Sequence, residues 1–145
     1  MAGITQAMAT SFKVQILAGQ QNLTSGASPV YKVALYTSAA TLDSTTTAYT
    51  TLNEVSSSGS NYTAGGNTLT ISTSPTSTGN VSFMSFANSS WTNANITANG
   101  ALIYNSTANT AVAVLAFGSD KTATNGTFTI VFPSADSTNA IIRIA

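Results

Sequence analysis

Val30-Tyr31-Lys32-Val33-Ala34-Leu35-Tyr36-Thr37 is a dense run of β-branched and aromatic residues broken by one lysine, and it reads as a strand. A polar excursion from Ser38 to Gly66 follows. The chain then lands on Asn67-Thr68-Leu69-Thr70-Ile71-Ser72, where apolar and polar residues alternate as in a half-buried strand. The excursion contains Asn53-Glu54-Val55 and Ser58-Gly59-Ser60-Asn61-Tyr62-Thr63-Ala64-Gly65-Gly66, whose paired glycines signal a tight turn. A long loop inside a compact domain is usually functional or packed against something. Strand, ordered loop and return strand make a binding or assembly device more readily than a catalytic one.

Toward the C-terminus, strands are expected over 80–87, 100–105, 110–118, 127–132 and 140–144, with loops at 74–79, 119–125 and 133–138. Trp91 and Ile96 fall in short separate segments. Ala111 to Phe117 is apolar throughout, as in a strand covered on both faces. Ser106-Thr107-Ala108-Asn109 reads as a hairpin turn. About seven to nine strands with regular turn signals define a mainly β chain. The expected fold is an antiparallel β-sandwich or jelly-roll-like single domain with a short N-terminal α-helix. Residues 1–19 form the helix or arm, and residues 20–145 form the sandwich.

Toward the N-terminus, Ile4, Met8, Phe12 and Ile16 recur every four residues, with Leu17 beside the last, so a helix from Ile4 to Ala18 would carry one apolar stripe. Gly19 is placed to end it in a left-handed conformation. A helix this short must dock on something. Covering its own sandwich is the default, and packing on a neighbouring subunit is the alternative. Under the second reading Ile4, Met8, Phe12 and Ile16 are assembly contacts, with Glu54 and Tyr62 added from the loop. Phe12→Asp should therefore weaken folding or association.

Composition narrows the function. Only 6% of the 145 residues are charged, and four acids balance four bases. A net charge of zero lacks the basic footprint of a nucleic-acid binder, and it removes the self-repulsion that keeps monomers apart. With neither cysteine nor histidine, there are no disulfides, no thiol nucleophile and none of the commonest zinc ligands or general bases. No apolar run approaches the ~20 residues of a membrane helix. No basic segment followed by an apolar one opens the sequence, so no secretory leader is expected.

The remaining chemistries find little support. Asp43, Glu54, Asp120 and Asp136 lie in separate loops, with no spacing that pairs two of them across a sugar-sized cleft. Solvated acids, or acids paired with Lys121 or Arg143, are the plainer reading. Asp120 and Asn125 lack the alternating pattern of a calcium loop. A Gly-x-Ser-x-Gly elbow and a phosphate loop are both missing. The expectation is a non-enzymatic protein with no cofactor and no metal. The five tyrosines would line either a ligand surface or a strand edge and subunit contact.

Several stretches together point to a family. They are Phe12 to Gly19, Tyr31 to Ser38, Ala48-Tyr49-Thr50, Asn53-Glu54-Val55, Ser58 to Leu69, Trp91-Thr92, Ile96-Thr97-Ala98, Gly100 to Tyr104 and Phe117 to Lys121. In this order the chain resembles small structural proteins of tailed bacteriophage virions, over most of its length. The block from Asn-Glu-Val to Tyr-Thr-Ala-Gly-Gly is the most specific part. The resemblance implies a virion component made in the bacterial cytoplasm, most readily a head decoration (cement) protein on the capsid surface. Its partners would be the major capsid protein and further copies of itself, as a homo-oligomer such as a trimer, without nucleic acid or membrane. A tail or neck component is the runner-up. A carbohydrate-binding host-attachment module is the alternative from another class, and it would group aromatic residues on an exposed sheet face.

Overall fold

In the computed structural model, which describes residues 2–145, the chain is mainly β and sandwich-like, with one short helix. Its elements in chain order are β1 (Gly3–Ile4), β2 (Ala7–Met8), α1 (Thr10–Leu17), β3 (Tyr31–Tyr36), β4 (Thr41–Leu42) and β5 (Asn67–Thr68). They continue as β6 (Ile71–Thr78), β7 (Val81–Phe86), β8 (Ser89–Asn105), β9 (Thr110–Ile130) and β10 (Ile142–Ile144). A five-stranded sheet runs β2-β9-β8-β3-β5, and a three-stranded sheet runs β10-β7-β6. β1 and β4 form a small parallel pair.

The opening strand explains the layering. In β3, Val33, Ala34, Leu35 and Tyr36 are all fully buried, so both faces of the strand are covered. On the Tyr31–Val33–Leu35 face lies the three-stranded sheet, with Tyr31 against Phe86 at 6.1 Å between ring centroids. On the Ala34–Tyr36 face lies the polar excursion. The Tyr36 hydroxyl donates to the Thr50 carbonyl at 2.6 Å, and Tyr49 stacks on Tyr104 at 4.7 Å. The long loop is thus a third layer of the domain.

β8 and β9 form one long hairpin rather than the shorter pieces expected. Trp91 and Ile96, read as separate segments, lie on the same strand, where Ser89, Trp91, Ala94, Ile96 and Ala98 face inward. Their outward neighbours are serine, threonine and asparagine, which disguise the strand as loop. Asn93, at φ 49°, also breaks the two-residue period. The expected 119–125 loop is likewise strand. Asn125 adopts φ 46°, and the irregular register between Ala94 and Ile96 absorbs it while Asn95 Oδ1 accepts from the Asn125 N–H at 3.0 Å. Between the pairs Ala98–Lys121 and Gly100–Ala116, β9 bulges outward, with Gly118 at φ 79°. Pro75 lies inside β6, an edge strand, where its missing N–H is tolerated.

The N-terminal expectation needs correction. The helix covers Thr10–Leu17, and Ile4 and Met8 belong to short strands instead. β1 pairs with β4 and β2 adds to β9, so sheet bonding claims the first turns of the expected helix. The helix end is as read. Gly19 takes φ 68°, Gly19 N–H donates to the Ile16 carbonyl, and Gln20 N–H donates to the Gln15 carbonyl, which is a Schellman closure.

Candidate functional site

Glu54 is the centre of the loop layer. Tyr36 and Glu54 meet as an isolated antiparallel bridge, flanked by Val55 N–H donating to the Leu35 carbonyl and Thr37 N–H to the Asn53 carbonyl. This fixes the Glu54 backbone against the end of β3. Its carboxylate then gathers the rest of the loop. Tyr49 donates its hydroxyl to Oε2 at 2.7 Å, Tyr62 donates to Oε1 at 2.6 Å, and the Gly65 N–H donates to Oε1 at 2.7 Å. Charge-assisted bonds of this kind are among the stronger ones in a protein.

The network reaches back into the sheet at two places. Tyr62 accepts from the Leu35 N–H at 2.9 Å, and Tyr104 donates to the Gly65 carbonyl at 2.7 Å. Gly66 lies so close to β3 that a Cβ there would sit 1.7 Å from the Val33 carbonyl oxygen. At φ 74° the position already favours glycine.

Burial pushes the Tyr62 and Tyr49 phenols well above their ordinary range, and the bonded Glu54 pushes them further. Tyr104 is raised to about 12, first by burial and then by the Glu54 charge. Tyr31, outside this knot, is also raised to about 12 by burial. The phenols therefore stay protonated donors at neutral pH. Both carboxylate oxygens are engaged by fixed donors, an arrangement that holds a loop rather than moving a proton.

The other acids serve their own loops. Asp43 Oδ1 accepts from the Thr45 N–H and hydroxyl, and those bonds hold its carboxyl below the usual range. Asp136 accepts from the Asn139 side chain and from the N–H groups of Thr138 and Asn139, with the same effect. Asp120 accepts from Asn99 across the ribbon at 2.8 Å. Lys121 and Arg143 donate to the Ser119 hydroxyl and the Ser137 carbonyl. Among the described residues no three acids cluster as a metal site would require.

The residues read as assembly contacts are therefore placed as follows. Glu54 and Tyr62 meet in the knot, and Tyr62 is buried, so it serves the loop rather than a surface. Phe12 is fully buried on the domain's own core, which leaves it no surface for a partner. Ile16 and Met8 are half-buried against the same core. Ile4 packs over Gly100, where an added Cβ would lie 2.7 Å from its Cγ2. The stripe docks within the domain.

Sequence reading placed Leu17 in the stripe beside Ile16 and missed Val14, but both lie on the opposite side of α1. Val14 is 60% exposed and Leu17 is 89% exposed. Three apart, they share one outward helix face. The available signal was an eight-residue helix carrying apolar residues on both sides, one face for the core and one left over. Leu52, at the tip of the loop layer, is 70% exposed. Among the described residues every aromatic ring is buried or half-buried, and none is grouped on an open sheet face.

No protein-family model, no curated protein and no solved structure matches this chain.

Proposed function

We propose that this chain is a non-enzymatic structural protein of a tailed-bacteriophage particle, a capsid decoration (cement) protein that bridges major capsid subunits on the virion surface. The observation that carries the reading is the Val14–Leu17 face of α1. It is an exposed apolar helix face on a chain of zero net charge whose core is already closed by Phe12. Copies of a small domain that each bury such a face on a shell add modest contacts many times over.

The resemblance to phage structural proteins supports the same reading, since its most specific block is the Glu54 knot. There the chain invests its strongest polar contacts in holding a surface loop in one shape, as repeated docking requires. Carbohydrate attachment is less well supported, because stacking on sugars needs exposed rings and the rings here point inward.

Cryo-electron microscopy of the particle that carries this chain tests the proposal. Density for a small sandwich repeated between capsomers over the shell is the expected result. Density confined to the tail or portal vertex would overturn the cement reading in favour of the tail or neck alternative.

A further inference from the structure

β9 carries a second feature that the α1 surface does not explain. On one side it pairs with β8, while on the other it pairs with β2 at Val114 and Ala113, beside which the Ala9 N–H donates to the Val112 carbonyl and the Ala111 N–H donates to the Thr47 carbonyl. From Leu115 to Ile130 that second side has no strand neighbour among the described residues. A groove of about 540 Å³ runs beside it, and both the inward Phe128 and Ile130 and the outward Thr127 and Thr129 line it. Over the unbroken stretch Phe128 to Ile130, residues of both faces border one groove along the backbone edge of the strand. Unpaired backbone N–H and C=O groups along such an edge are a template for another strand.

We propose that this edge joins two copies of the chain, β9 against β9, around a two-fold axis. The regular part of the edge fits that arrangement. From Phe128 to Ile130 the register with β8 is unbroken, whereas the bulge at Phe117 and Lys121, features that blunt an edge, border the far end of the same groove. With the axis at Thr129, Thr127 of one copy stands opposite Val131 of the other, and both point to the outer face. That pairing covers Val131, which is 71% exposed in the single chain. Antiparallel β-branched pairs of this kind favour association.

Charge favours a copy as the occupant. From Thr122 to Pro133 the chain has no charged residue, and its net charge is zero, so the two edges meet without like charges opposed. The inference deepens the assembly reading by naming one contact between copies, and it rests on that reading only in taking the chain to self-associate.

Sedimentation equilibrium of the purified protein tests it. The wild type should dimerise. Thr129→Lys and Thr129→Glu should each weaken dimerisation about tenfold or more, because the same charge then faces itself across the axis. An equimolar mixture of the two variants should recover a heterodimer, which a merely damaged fold would not do. Val131→Lys, at an outward position without a side-chain partner, gives a second variant should Thr129 prove needed for folding through its bond to Ser90. A monomeric wild type, a dimer unmoved by these changes, or a mixture that stays monomeric would each overturn the proposal. A wild type that stays monomeric and still decorates particles would sink this contact and leave the cement reading standing.

Discussion

Glu54 and Tyr62 are eight residues apart in the chain and 2.6 Å apart in space, carboxylate to phenol, and the same phenol accepts from the backbone of β3. One short polar chain thus runs from the surface loop into the central sheet. Removing its middle should be costly. Glu54→Ala leaves two phenols and the Gly65 N–H without their acceptor, and should lower unfolding free energy by about 2–4 kcal/mol. Glu54→Gln keeps one oxygen for Tyr62 and Gly65, so a loss of about 1 kcal/mol is expected. Urea titration followed by fluorescence measures both. Equal losses for the two would show that charge, not geometry, holds the loop.

Two glycines of that loop should respond unequally to the same change. Gly59 and Gly66 both have positive φ, at 67° and 74°. A Cβ at Gly59 meets nothing within 4 Å, so Gly59→Ala should cost about 1 kcal/mol of backbone strain. A Cβ at Gly66 collides with the Val33 carbonyl, and the loop must move away from β3 to admit it. Gly66→Ala should cost at least about 3 kcal/mol or prevent folding. Comparable melting temperatures for the two variants would rule out the close approach.

Much of this was legible in the residues. Val30 to Thr37 announced a strand, Ala111 to Phe117 announced one covered on both faces, which holds as far as Leu115, and Gly19 announced its helix end. What covers β3 was not legible. Tyr49, Glu54 and Tyr62 lie in a stretch of threonine and serine, and nothing in their spacing says that two phenols converge on one carboxylate. Trp91 and Ile96 were readable as apolar residues but not as one strand, because Asn93 interrupts the alternation with a left-handed step. Ile4 and Met8 misled by matching a helical period by coincidence, where partner strands β4 and β9 decided their conformation. Local pattern yields to long-range pairing in each of these cases.

Alkaline pH should unfold the domain. Tyr31 and Tyr104 are raised to about 12 in the folded chain, mainly by burial, against an ordinary value near 10. A raised pKa means that the unfolded state loses its protons first as pH climbs. The stability these phenols contribute is therefore complete below about pH 10 and is lost between about pH 10 and 12. Urea midpoints should stay level up to pH 10 and fall steeply beyond it. Tyrosinate absorbance should rise together with unfolding, and a full rise at pH 10 in a chain that remains folded would contradict the burial of these rings.

The two faces of α1 should separate folding from assembly. Phe12 is fully buried, so Phe12→Ala should cost about 3–5 kcal/mol, and Phe12→Asp more, since it buries a charge in the core. Leu17 is 89% exposed, so Leu17→Asp should leave unfolding free energy within about 0.5 kcal/mol of wild type. If the Val14–Leu17 face docks on the shell, that same variant should still fold but be retained poorly on particles, with Val14→Asp behaving alike. Co-sedimentation with purified particles, run beside a thermal melt, reads both quantities. A folded Leu17→Asp chain that decorates particles as fully as wild type would remove the helix face from the interface and leave the Leu52 tip of the loop layer as the surface to test.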